Sequence, residues 1–156
     1  YRHVALGGTF DHLHAGHKIL LTMATWLTED RLFCGVTDDT MLTRKQYRAW
    51  IEPLDRRIVH VEHFLHTLRP HGRRYTVACI TDPFGPTITD PTIDMIAVSR
   101  ETLAGGEAAQ KERLARHLPP MALHMIDVIA AGRRTLGETE WAELKLSSTQ
   151  IRARLE

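Results

Sequence analysis

The sequence predicts an α/β fold: a single doubly wound domain, residues 1–156, built on a parallel five-stranded sheet. The first observation is that strand-like and helical segments alternate along the chain, which is typical of right-handed βαβ units with helices on both faces of the sheet. The second is that 156 residues, 43% hydrophobic and 25% charged, suit one globular domain with a substantial core. No internal repeat or linker interrupts the pattern.

Short, mostly apolar runs predict the five strands, which are His3–Leu6, Arg31–Thr37, Arg74–Thr81, Asp94–Val98 and Ala122–Ala130. Apolar residues at helical spacing predict two helices, one through Ile19–Leu27 and one through Ile58–Leu68 that stops near Pro70 and Gly72. A third helix is expected from about Gly106 to His117, and a last one begins at Ser147.

Charge and cysteine content exclude several classes of protein. The formal net charge is +1, from 20 basic and 19 acidic residues, so there is no field that would favour general binding to nucleic acid. Cys34 and Cys79 each lie in an apolar run, which predicts buried free thiols in a reducing compartment. No stretch is long and apolar enough to span a bilayer, and the amino terminus lacks a signal-peptide pattern. We expect a cytoplasmic protein with neither nucleic-acid nor membrane partners.

The stretch Gly7–Lys18 lies between the first strand and the first helix, at the edge of the sheet where open α/β proteins bind ligands. Its glycines, Gly7, Gly8 and Gly16, permit close approach to the backbone, and the helix start attracts anions. His14 and His17 share one helix face. A turn before a capped helix, or a zinc site completed by His12 or Asp11, would explain part of this pattern. Phosphate binding explains the glycines, Thr9 and both histidines together.

A second polar cluster is Lys145–Arg152 near the carboxyl terminus. Ser147 and Gln150 form a capping box, which by itself needs no function. Three successive hydroxyls at a helix start, flanked by Lys145 and Arg152, also suit a phosphate. Between these motifs, the proline-rich run Asp82–Thr87 predicts either a rigid crossover or a loop that shapes a pocket. The histidines at positions 60, 63 and 66 fall opposite the apolar helix face, so we expect a solvated surface there.

The run Gly-Gly-Thr-Phe-Asp-x-x-His-x-Gly-His resembles the first signature of the nucleotidyltransferase superfamily, and Ser-Ser-Thr-x-Ile-Arg resembles its second. Asp82–Thr87, followed by Val98–Thr102 and by Gly105-Gly106, is similar to the archaeal and eukaryotic form of the phosphopantetheine adenylyltransferase family. That pattern usually carries Asn where this chain has Gln110. The resemblance covers essentially the whole chain and implies the Rossmann-like fold of the superfamily.

The resemblance implies transfer of AMP from ATP to 4′-phosphopantetheine, which gives dephospho-coenzyme A and pyrophosphate in coenzyme A biosynthesis. His17 would stabilise the α-phosphate, with Thr9 and Lys45 as further catalytic residues. Implied ATP-binding residues are Gly8, Thr9, Phe10, His14, Gly16, His17, Gln110, Arg113, Ser147, Ser148, Thr149 and Arg152. The acceptor phosphate would be held by Thr9, Lys45 and Arg100, with Arg44 as a substitute for Lys45.

Magnesium is expected as a cofactor held mainly by the ATP phosphates, with no protein metal site. Two alternatives remain at this stage. A cytidylyltransferase acting on a phosphorylated alcohol would share the first signature, and a catalytically silent nucleotide-binding module would share the fold.

Overall fold

A computed structural model describes residues 1–68, 73–127 and 147–156. Strands are β1 (His3–Gly8), β2 (Arg31–Thr37), β3 (Arg74–Ile80), β4 (Met95–Val98) and β5 (Ala122–Met125). Helices are α1 (Ala15–Leu27), α2 (Leu54–Leu68), α3 (Leu103–Ala115) and α4 (Ser148–Leu155). Short 3₁₀ helices cover Asp39–Leu42, Arg48–Trp50 and Gly85–Ile88.

The five strands form one parallel sheet in the order β3-β2-β1-β4-β5. β1 therefore lies in the middle of the sheet. β2 and β3 extend the sheet to one edge, and β4 and β5 extend it to the other. This arrangement confirms the predicted α/β fold with a parallel five-stranded sheet. It also places the carboxyl end of β1, where the Gly7–Lys18 motif begins, beside the point at which the strand order reverses.

Two apolar cores cover the two faces of the sheet, because successive strand residues point to opposite sides. In β1, Val4 and Leu6 pack into the larger core with α1 and α2, whereas Ala5 packs into the smaller core with Ala109 of α3. β4 alternates in the same way. Helices thus lie on both faces, as a doubly wound fold requires.

Several predicted boundaries shift by a few residues. β1 continues through Gly7 and Gly8 because both pair with β2, and β5 ends at Met125 instead of Ala130. Residues 128–130 lie outside the described part of the chain, as do the stop expected near Pro70 and Gly72 and the flanking Lys145. Within residues 1–68, 73–127 and 147–156, no helix has the length and apolar character needed to cross a membrane.

Candidate active site

The loop between β1 and α1 contains two residues in the left-handed region of backbone conformation. Phe10 and His12 both have positive φ, 51° and 46°, so the loop bends sharply before α1 begins. The Phe10 side chain is fully buried in the larger core, and a Cβ at Gly8 would lie 3.2 Å from its ring. Glycine at position 8 therefore lets the ring fold back under β1. Phe10 was predicted to bind ATP, but the residue is fully buried and its side chain anchors the loop, so this assignment stays a prediction that the burial does not support.

The two histidines of the motif stack on each other at the start of α1. Their ring centroids are 3.8 Å apart, with 27° between the ring planes. His14 is the N-cap residue: its Nδ1 accepts a hydrogen bond from the Gly16 backbone N–H at 3.1 Å. His17 Nδ1 accepts from the His14 backbone N–H at 3.4 Å, which completes a capping box. The local structure is thus the capped helix that the sequence already suggested.

The same contacts fix the tautomers of the rings. A neutral imidazole that accepts a hydrogen bond at Nδ1 carries its proton on Nε2. Burial, the neighbouring His14 and the charge of Lys45, in that order, lower the pKa of His17 from 6.5 to about 3. His17 is therefore neutral at physiological pH and presents an Nε2–H donor. Capping and anion binding are compatible because they use different ring nitrogens.

Lys45 lies in the segment between β2 and α2, where its backbone N–H bonds to the Leu42 carbonyl at 3.1 Å. Desolvation and the positive charge of Arg152 lower its pKa, against smaller opposing effects of Asp11 and Glu101. Its charge also acts on His17. Lys45 thus lies within electrostatic range of His17, which supports Lys45 as a cation of the site.

Helix α4 brings the second motif directly onto the first. The Ser148 hydroxyl donates to the Asp11 carbonyl at 2.8 Å, and Arg152 Nη1 lies 2.5 Å from Asp11 Oδ2. Ser147 caps the helix and forms the predicted capping box with Gln150. Two motifs about 140 positions apart in the sequence therefore meet at the carboxyl end of β1.

Arg152 makes protein contacts that do not favour its predicted direct contact with a phosphate. It was expected to bind a phosphate, but it is 1% exposed and its guanidinium is engaged by protein groups. Besides the Asp11 pair, Nε donates to the Gln46 carbonyl at 3.1 Å and Nη2 to the Thr149 hydroxyl at 3.2 Å. The ion pair forms because Asp11 is itself fully buried and needs a cation. Arg152 joins α4, the first motif and the Lys45 segment.

Arg113 lies in a position that does not favour its predicted contact with the nucleotide. It was expected to line the nucleotide site, yet it is fully buried beneath the loop before β4. Within the described part of the chain, its guanidinium donates to main-chain carbonyls, those of Thr87, Asp90, Pro91, Ile93 and Pro119. A planar guanidinium with five donors suits this role. Arg113 therefore holds the Asp82–Thr87 loop and its continuation in place, which explains the rigidity that the prolines suggested.

Gln110 and Arg100 are two further predicted site residues. Their contacts within the described part of the chain are with residues other than the stacked histidines. Gln110 Oε1 accepts from the Met121 backbone N–H at 3.2 Å. Arg100 forms an exposed ion pair with Asp127, 3.1 Å between Nη2 and Oδ2. Their assignments to ATP and to the acceptor phosphate stay predictions that these contacts do not support.

The α2 histidines are exposed as expected, and two of them also border a groove. His60 and His63 line a concavity of about 790 Å³ between α1, α2 and α4. Leu13, His14 and Ile151 also line it. The groove thus opens beside the first motif.

Asp11, His12 and Glu52 each bring a potential metal ligand to within 4.8 Å of the others. These atoms are already bonded within the protein. Asp11 Oδ1 accepts from the Glu52 N–H at 2.9 Å, and Glu52 Oε2 accepts from the His12 N–H at 2.8 Å. His12 Nε2 donates to the Trp50 carbonyl at 2.8 Å. The cluster braces the first motif against the start of α2.

Arg57, which is fully buried, also supports the site although neither signature motif includes it. Its donors reach Thr9, Thr37, Glu52 and Asp39. The signal was present: position 57 lies three residues after Leu54 and four before Val61, on the apolar stripe of α2. A charged residue on such a stripe indicates a buried partner.

Comparison with known proteins places these features in context. A family model described as cytidylyltransferase-like matches residues 5–154. A phosphopantetheine adenylyltransferase of Saccharomyces cerevisiae is 45% identical over 148 residues, 95% of this chain and 47% of the yeast protein. One from Pyrobaculum aerophilum is 38% identical over 157 residues, 100% of this chain and 93% of the archaeal protein. The chain thus spans about half the length of the yeast relative and nearly all of the archaeal one.

A solved structure has the same fold. It is a protein with unknown function from Archaeoglobus fulgidus, with a TM-score of 0.73 and 27% sequence identity. The similarity covers 84% of this chain and 93% of that one.

Proposed function

The chain belongs to the cytidylyltransferase-like family and, within it, to the phosphopantetheine adenylyltransferases, and from this premise we propose that it transfers AMP from ATP to 4′-phosphopantetheine. The products are dephospho-coenzyme A and pyrophosphate. The observation that carries the proposal is the contact of both signature motifs at one point, where Asp11 binds Ser148 and Arg152 beside the stacked histidines.

The acceptor brings its own nucleophile, a phosphate that is ionised at neutral pH, so the protein needs no strong general base. Its task is to bring two polyanions together in line. Positioning of this kind can supply about 7–11 kcal/mol of the barrier. A rigid loop held by Phe10, Asp11 and Glu52 suits that task, because it fixes the groups that contact the reacting phosphates.

His17 acts as a hydrogen-bond donor to the α-phosphate. Its lowered pKa and its Nδ1 acceptor bond leave a neutral ring with the proton on Nε2. Such a donor stabilises the negative charge that builds on the α-phosphate oxygens as the new bond forms, and one donor of this kind contributes about 3–4 kcal/mol. His14 presents the same tautomer from the neighbouring position and binds the triphosphate.

Lys45 binds the acceptor phosphate, and Thr9 helps to align it with ATP. This role of Lys45 is supported by the effect of its positive charge on the pKa of His17, which puts the ammonium group within electrostatic range of that ring. The β and γ phosphates lie at the amino terminus of α4, where unpaired N–H groups and the helix dipole favour an anion. Arg152 contributes there by holding the helix in position, through Asp11, and not by direct contact.

Magnesium enters with ATP in this proposal. Asp11 is the carboxylate of the first motif, but one of its oxygens accepts from Glu52 and the other from Arg152. It therefore does not fit a protein-bound metal. ATP phosphates and water can hold the ion without it. Cys34 is the buried free thiol that was predicted, whereas Cys79 is free but exposed, so the prediction of burial was wrong for Cys79. Free thiols support the cytoplasmic location that we also propose.

The test is pyrophosphate release by the purified chain with ATP or CTP, each offered with 4′-phosphopantetheine, glycerol phosphate and phosphocholine. We expect release with ATP and 4′-phosphopantetheine, and much slower release with CTP. Faster turnover of CTP with a phosphorylated alcohol would make the chain a cytidylyltransferase. Nucleotide binding without turnover of any acceptor would make it a silent binding module.

A further inference from the structure

We propose that Arg57 is a positioning residue for the transfer: its guanidinium fixes Thr9 relative to the segment that carries Lys45. This inference rests on the proposed function, because it concerns how the two substrates' phosphates are held in line. Nothing in the sequence motifs points to Arg57, which lies outside both signatures.

The first support is the place at which Arg57 acts. β1 and β2 pair in parallel register up to Gly8 and Val36, and the ladder ends there. Arg57 Nη1 donates to the next carbonyl on each strand, that of Thr9 at 2.8 Å and that of Thr37 at 2.9 Å. Nη1 therefore bridges the two backbone segments at the first position beyond the end of their β-ladder.

The second support is that the other donors extend the same bridge. Nε donates to the Glu52 carbonyl at 2.9 Å, at the entrance to α2. Nη2 forms an ion pair with Asp39, at the start of the Lys45 segment. The guanidinium thus contacts both ends of that segment, residues 39–52, as well as the first motif. Its planar fork holds these contacts at fixed angles to one another.

The third support is burial. Arg57 is fully buried, whereas the side chain of its partner Asp39 is 56% exposed. Removing a cation from water is costly, so this arrangement is stable only because carbonyls occupy most of the donors. An apolar residue would pack on the α2 stripe without that cost. The guanidinium is therefore better explained by the bridge that it makes than by packing alone.

A purely structural role predicts a different experimental result from a positioning role. If Arg57 only stabilised the domain, a substitution would lower the folded fraction and leave the folded molecules fully active. If it fixes the two phosphate-binding segments, the folded variant would bind each substrate and react slowly. A displacement of about 1 Å can cost about a hundredfold in rate.

The variant is Arg57→Lys, which keeps the charge but replaces the fork with three donors on one nitrogen. Arg56→Lys is the matched control, because Arg56 is the adjacent, exposed residue of the same helix. We expect Arg57→Lys to lower kcat by about tenfold to a hundredfold, with KM for ATP changed by less than about threefold. Thermal melts give the folded fraction at the assay temperature. We expect the control to match the parent chain.

A parental kcat per folded Arg57→Lys molecule would overturn the proposal, as would an equal loss in Arg56→Lys. If Arg57→Lys fails to fold, Asp39→Asn tests the proposal instead. This variant removes the ion pair with Arg57 and leaves the three hydrogen bonds from Arg57 to carbonyls. We expect a severalfold lower kcat with KM for ATP unchanged, and an unchanged kcat would overturn the proposal. The parent chain is assayed in parallel: its failure to release pyrophosphate would refute the proposed function instead.

Discussion

Replacing His17 with alanine tests the central step of the proposed mechanism. In the proposed mechanism the ring supplies one neutral donor to the α-phosphate, and loss of such a donor lowers the rate by about 10²–10³. The structural cost is small by comparison. The ring accepts one long bond, 3.4 Å from the His14 N–H, and stacks on the His14 ring. Losing a cap acceptor and a ring contact costs about 1–2 kcal/mol in total. We therefore expect a folded protein that binds ATP and barely turns over.

The same substitution should change how stability depends on pH. His17 has a pKa of about 3 in the folded protein and an ordinary value of 6.5 when unfolded. A lowered histidine pKa means that the unfolded chain binds the proton first, so the stability is complete above pH 6.5 and is lost as the pH falls toward 3. At pH 5 this loss amounts to about 2 kcal/mol. The alanine variant lacks this loss of stability at low pH. The difference in the free energy of unfolding between the parent and the variant should therefore shrink on acidification.

Single-turnover kinetics with 4′-phosphopantetheine in excess measure the chemical step, and urea unfolding at pH 7 and at pH 5 gives the two stabilities. His66→Gln is the control, because His66 is exposed in the last turn of α2. A His17→Ala variant that kept more than a tenth of the parental rate would refute the assigned role. A stability deficit equal at both pH values would refute the tautomer and charge argument.

Three further substitutions separate binding from support. Lys45→Ala should raise KM for the acceptor by about 10–100-fold, because one charge-assisted hydrogen bond is lost, and should raise KM for ATP much less. Initial rates with each substrate varied in turn measure the two KM values. Equal effects on both would contradict the role of Lys45. Arg113→Ala should lower the free energy of unfolding by at least about 3 kcal/mol, because it leaves buried carbonyls unpaired, with kcat per folded molecule retained. Arg152→Ala should cost about 3–5 kcal/mol by stranding the buried Asp11 carboxylate. Urea unfolding of Arg152→Ala with and without Asp11→Asn tests that origin, since the double variant should recover part of the loss if the carboxylate is its cause.

Local sequence patterns determined the fold class and indicated the location of the candidate site. Alternating strand and helix periodicities reflect which faces are buried, and that is a property of each segment by itself. The Gly7–Lys18 motif and the capping box at Ser147 could likewise be predicted from the sequence, since turns and caps depend on residues within a few positions of each other. The tautomer of His17 could not be read from sequence, because it depends on which backbone group its Nδ1 meets.

Only the tertiary structure decided what the buried arginines do. A guanidinium in the sequence has the same donors whether a phosphate, a carboxylate or a set of carbonyls occupies them. Arg152 meets Asp11, 141 positions away, and Arg113 meets carbonyls of a loop more than twenty positions before it. Arg57 bridges two strand ends that become neighbours only when the sheet forms. Each of these roles is set by chain segments that folding brings together, so a motif could indicate the charge but not its partner.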